Sequence, residues 1–157
     1  MKKLFVLCLL AMPFAAMSQA HSGYTASYSS NFKISDASYS DKVLMLWKDF
    51  ENNTLDQHID MLSDTVSMTL SNGDRVKGRA ENLAGAKEFR SSLKDYKVTI
   101  DAWTSLKSTD RNGNVVCIWG TESFTDKDGK KVTQRLHEVW GFNKDGKIDM
   151  MLQYAGM

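Results

Sequence analysis

This 157-residue sequence has little that would cross-link, kink or strongly charge it: two cysteines, one proline and a formal charge of +1. Two cysteines exclude a disulfide-dense scaffold. One proline and ten glycines exclude collagen-like and Pro/Gly-rich low-complexity chains. The absence of a basic excess argues against nucleic acid as a partner, because nothing is there to match phosphates. No Gly-rich phosphate loop or dinucleotide pattern occurs, and there is no His-x-His or close cysteine pair. Neither a cofactor nor a metal is therefore expected. What is present is ordinary for a globular domain, with 42% apolar and 25% charged residues.

The first twenty residues read as a secretory signal. Lys2 and Lys3 form a charged start, Leu4 to Phe14 an apolar run too short to span a bilayer, and Ser18-Gln19-Ala20 a small-residue cleavage site. The competing reading is a buried N-terminal helix. Cleavage after Ala20 leaves 137 residues beginning at His21, with 18 basic and 19 acidic residues and a net charge of −1. Cys8 departs with the signal, so Cys117 has no partner and the mature chain stands on its core alone. The expected location is exported, periplasmic or secreted. No later stretch is long and apolar enough to span a membrane as a helix.

Residues 21–35 are rich in Ser and Tyr without periodicity and read as a flexible leader. Residues 36–157 read as one domain. Ser35 and Asp36 are good helix caps, and Tyr39, Val43, Leu46, Trp47 and Phe50 follow at spacings of three and four. Thr54 caps a second, shorter helix carrying Leu55, Ile59 and Leu62. Residues 64–70 alternate with period two, so they predict a strand; Asn72-Gly73 turns it into a short return strand at 75–78. A third helix is predicted from about Ala80 to Leu93. Strands at 96–109, 115–125, 132–142 and 147–154 then alternate with turns ending at Gly113, Gly129 and Gly146. Helices segregated from a mostly antiparallel sheet define an α+β class.

That element order resembles the nuclear-transport-factor-2-like cone fold, and within it the SnoaL-like branch. The segments carrying the resemblance are Leu62-Ser63-Asp64-Thr65-Val66, Gly78-Arg79 ahead of the third helix, and the closing hairpin from Val139 to Ile148 through Asp145-Gly146-Lys147. The resemblance implies a curved sheet of about six strands wrapped over three helices around an internal pocket. Its members include isomerases, dehydratases, cyclases, epoxide hydrolases and non-catalytic binding subunits, so fold does not give function. An ungapped comparison puts Leu70, Arg135 and Leu46 where steroid isomerases carry their base and oxyanion donors, which excludes that chemistry.

The resemblance further implies that Arg135 and His137 look into the cone, as do Trp119, Thr121 and Ser123 on the preceding strand. Met151 and Gln153 on the last strand, Met68 and Leu70 on the first, and Trp47 of the first helix complete the expected pocket. Such a cavity, apolar with a few polar groups, suits a small molecule. His137 is the candidate acid–base, having an unperturbed pKa near neutrality; the alternative is a core histidine satisfied by a neighbour. Arg135 would bind a ligand carboxylate or stabilise an oxyanion, or else pair with Asp60, Asp64 or Glu122. His58 and Asp60 lie about 200° apart on a helix and do not form a dyad. Cys117, on an apolar strand, reads as a buried thiol.

By the same alternation Ile118, Phe124, Leu136, Trp140 and Phe142 point outward. An apolar patch there implies a homodimer through the outer sheet face. The functional expectations are a binding protein for a small, largely apolar ligand with a polar or acidic end, a cofactor-independent lyase, isomerase or cyclase, or a non-catalytic assembly module.

Overall fold

The computed structural model describes residues 23–156. The predicted signal segment lies outside the described residues. The element order is β1 (Phe32–Ile34), α1 (Ala37–Asn52), a single 3-10 turn (Ile59–Met61), β2 (Leu62–Thr69), β3 (Arg75–Lys77), α2 (Arg79–Ser92), β4 (Lys94–Ser108), β5 (Asn114–Thr125), β6 (Lys131–Phe142) and β7 (Ile148–Gly156). One open seven-stranded sheet runs β1-β4-β5-β6-β7-β2-β3. Every pairing is antiparallel except β2 with β7.

Local chemistry accounts for the main boundaries. Asp36 caps α1, its carboxylate accepting the Ser38 N–H at 2.8 Å. Asn53 ends the helix in the left-handed region, at φ 58°. Val43, Leu46 and Trp47 are buried at helical spacing and face the sheet. The turns after β5 and β6 are built alike: Asp126 and Asn143 each accept two backbone N–H groups, and Gly129 and Gly146 take the positive φ that follows.

Two expected features come out differently. The second helix reduces to turns and the 3-10 segment Ile59–Met61. Residues 21–35 are not all leader, because Phe32–Ile34 pairs with Leu106–Ser108 as an edge strand. A three-residue edge strand has no room for a visible alternation, which is why it carried no sequence signal.

The long strands bend. Register shifts interrupt β4 between Ile100 and Ala102, β6–β7 between Gly141 and Phe142, and β2–β7 between Leu62 and Ser67. An extra residue on one strand kinks it and increases its twist. The curved sheet closes over α1 and α2, and the core forms between them from Val43, Leu46, Trp47, Leu62, Val66, Val116, Ile118, Leu136, Trp140, Ile148 and Met151.

This packing overturns one expectation. Ile118, Phe124, Leu136 and Trp140 are buried, and Phe142 packs edge-on against Tyr39 of α1. They form the inner face of the sheet, not an exposed dimer surface. The reason is the burial each alternation offers. On β6 the set Leu136, Trp140 and Phe142 brings three large apolar side chains under the helices, each worth about 1.5–3 kcal/mol when buried. The other set offers Val139 and Gly141 beside Thr133, Arg135 and His137.

Candidate functional site

Between the inner sheet face and the two helices lies a cavity of about 510 Å³. Trp47, Met68, Leu70, Met151 and Gln153 line it. The other predicted site residues do not. In the β5–β6 register Trp119 stands opposite His137, Thr121 opposite Arg135 and Ser123 opposite Thr133, all on the outer face. Arg135 is exposed and forms no salt bridge among the described residues. The His137 ring stacks on Trp119 at 4.8 Å between centroids, with Tyr154 at 5.9 Å on the next strand. Its Nε2 is buried and has no hydrogen-bond partner among the described residues.

Of the acids weighed as partners for Arg135, Asp64 pairs with Arg79 at 2.6 Å instead, and Asp60 is exposed. His58 reaches back to α1, its Nδ1 2.8 Å from the buried Asp49 carboxylate. This contact ties the turn after α1 to the helix. Cys117 is half-buried on the outer face, and burial pushes its thiol up.

The polar wall of the cavity joins the expected Gln153 to Glu138, which the sequence reading left out, and to Glu122, which it weighed as a partner for Arg135. Glu138, 4% exposed, sits between Leu136 and Trp140 on β6 and so faces inward with them. Its Oε2 accepts two indole N–H groups, from Trp47 at 2.6 Å and Trp140 at 2.9 Å. Its Oε1 accepts from the Gln153 amide at 2.9 Å, across the β6–β7 pairing. Trp47 reaches this position because β5 carries a glycine beneath it. A Cβ on Gly120 would lie 2.7 Å from the Thr99 carbonyl and 3.1 Å from the Trp47 ring.

Two inward-facing pairs further along the β5–β6 ladder, Glu122 is 5% exposed. It accepts the Tyr96 hydroxyl at 2.7 Å and the amide of its cross-strand neighbour Gln134 at 2.5 Å.

These contacts set the protonation of the wall. Burial raises the Glu138 carboxyl above the ordinary carboxylate range. The three hydrogen bonds from Gln153, Trp47 and Trp140 oppose that rise, and the charge of Glu122 adds to it. Burial likewise raises the Tyr96 hydroxyl, with help from Glu122. Tyr96 therefore remains a donor. Both lone pairs of Glu138 Oε2 are taken by indoles, so Oε1 is the oxygen left with room for a further partner. The arrangement offers a ligand two buried, hydrogen-bonded carboxyl groups on the cavity wall.

Part of the signal was in the sequence: Glu138 stands at i±2 from Leu136 and Trp140, and Glu122 two residues before Phe124. A charge in such a run follows the apolar set into the interior.

No protein-family profile matches the sequence, and no curated protein matches it. Solved structures do match. An epoxide hydrolase/cyclase-like enzyme of pyran ring formation in the polyether salinomycin is 16% identical, with a TM-score of 0.62 over 76% of this chain and 92% of that one. An NTF2-like protein of unknown function from Exiguobacterium sp. 255-15 is 20% identical, with a TM-score of 0.60 over 75% and 98%. A putative SnoaL-like polyketide cyclase from Jannaschia sp. CCS1 is 13% identical, with a TM-score of 0.62 over 76% and 86%. Identities this low speak for a shared fold alone.

Proposed function

This chain has the nuclear-transport-factor-2-like cone fold, and from that premise we propose that it is an exported protein binding a small, largely apolar molecule in its cone. The observation that carries this reading is the cavity itself. About 510 Å³ is within the size range of small-molecule sites. Its lining is mostly leucine, methionine and aromatic, with two hydrogen-bonded carboxyl groups converging on one wall. An assembly module that fills its own cone would leave no such space. The anchoring role first assigned to Arg135 and His137 passes to Glu138 and Glu122, so an acidic ligand end no longer fits.

Native mass spectrometry of the mature protein from its own host tests the reading. One small molecule per chain is expected, lost in Ala86→Trp, which fills the cavity from α2. Equal retention in that variant would overturn it. The same spectrum weighs the intact chain, and a mass beginning at His21 is the expected result for export.

Acid–base catalysis is a second reading, favoured by the state of Glu138. A buried carboxyl group with a raised pKa and one oxygen open to a further partner is suited to donate a proton and take one back, as an isomerase or cyclase requires. Glu138→Gln keeps the shape and removes that proton. Turnover of any substrate found in the cone should vanish in this variant, and surviving turnover would exclude Glu138 from the chemistry.

A further inference from the structure

The charge of the cavity is one-sided. Among the described residues its lining includes three acidic side chains, Glu81, Glu122 and Glu138, and no lysine, arginine or histidine. Glu122 and Glu138 are more than nine-tenths buried, and neither forms a salt bridge among the described residues. Arg90 lies over the Tyr96 ring, 5.0 Å from its centroid, but directs its donors to the carbonyls of Phe50, Glu51 and Leu93. Two buried carboxyl groups in one cavity without a counter-cation are costly unless protons or an incoming cation neutralise them.

Aromatic rings stand beside the acids. Trp47, Trp140 and Tyr96 all line the cavity and all donate to these two carboxyl groups. The face of an aromatic ring carries negative partial charge, so it attracts a cation as well as apolar surface. Glu138 Oε1 and both oxygens of Glu122 each receive one donor, which leaves each of them a lone pair for another.

We infer that the ligand of the cone is a lipophilic cation, an alkyl- or arylammonium whose head meets Glu138 and Glu122 and whose apolar body lies against Met68, Leu70 and Met151. This inference rests on the cavity reading and narrows it to one charge class. An anion of the same size meets two acids and no cation there. A neutral alcohol finds the apolar wall but gains nothing from the unpaired charge. Burial raises the Glu138 carboxyl, and an ammonium head beside it would act in the opposite sense.

Calorimetric titration at neutral pH with n-octylammonium, n-octanol and n-octanoate varies the head charge at constant chain length. The ammonium should bind at least about tenfold more tightly than the alcohol, and the carboxylate most weakly. Glu138→Gln and Glu122→Gln should each erase most of that advantage while leaving octanol within about twofold, and Arg135→Ala should change none of the three. Equal binding of octanol and octylammonium would overturn the charge assignment and leave the cavity reading intact. Tightest binding of octanoate would overturn it too. No binding of any of the three would overturn both.

Discussion

The two faces of the β5–β6 ribbon make opposite uses of similar residues. On the inner face Glu138 lies between Leu136 and Trp140, covered by helices, with every oxygen supplied with a donor. On the outer face His137 lies between Arg135 and Val139, with Trp119 38% and Tyr154 57% exposed beside it. Both faces set titratable side chains beside an aromatic cluster. Only the inner one surrounds them with oriented donors and a cavity. A titratable side chain becomes functional material through the groups that hold it, and its residue type alone does not foretell which histidine or glutamate will be held.

The comparison breaks most readily at Trp140. Read as an outward residue, Trp140→Asp should split a dimer; read as an inner one, it should unfold the chain. The expected result is a loss of roughly 4 kcal/mol or more, from a lost core indole plus a buried unpaired charge. Chemical denaturation measures it, and a midpoint like that of the parent would return Trp140 to the surface.

Glu138→Ala comes next. It leaves two indole N–H groups and the Gln153 amide without their acceptor. A cost of roughly 3 kcal/mol is expected, as for breaking a buried polar network from one side. A change below about 0.5 kcal/mol would mean that water replaces the carboxyl freely, and hence that the inner face is as wet as the outer.

Glu138→Gln sharpens the same point through pH. The folded chain binds the Glu138 proton more tightly than the unfolded chain, because burial raises its pKa. Its contribution to stability is therefore complete below the ordinary carboxylate range and declines as pH rises through the folded-state pKa. Gln carries no charge to bury, so the variant should equal the parent in acid and exceed it by about 1 kcal/mol or more at neutral pH. Melting curves across that range should diverge upward with pH; parallel curves would show the carboxyl titrating normally.

The smallest effects belong to the outer face. Arg135→Ala should lie within about 0.5 kcal/mol of the parent. His137→Phe preserves the stack with Trp119 and removes a buried nitrogen that lacks a partner, so its melting temperature should hold or rise. A marked loss in either would give the outer face a covered, structural role.

Much of this was legible in the residues. The caps at Asp36 and Asn53, the helical spacing of Val43, Leu46 and Trp47, and the glycine-ended turns at 129 and 146 are local signals, decided within a few residues of chain. The resemblance, not a local signal, put Trp47, Met68, Leu70, Met151 and Gln153 at the cavity they line. On β5 and β6 the resemblance sets Arg135 and His137 toward the cone, and the structure turns Leu136 and Trp140 there instead. The apolar sum of each alternation was there to be read, and it is the larger sum that the helices cover.

The sequence by itself determined the order of elements, the α+β class and the two alternating sets on each long strand, because period and turn chemistry are properties of neighbouring residues. Tertiary structure decided which set faces α1 and α2, and with it that Glu138 and Glu122, rather than His137 and Arg135, enter the cone. It also decided that indoles from α1 and β6 meet on one carboxylate oxygen, since Trp47 and Glu138 are brought together only when the curved sheet closes over the helix. Alternation is local and sorts each strand into two sets; the packing of distant elements covers the set with the larger apolar sum and so makes it the inside.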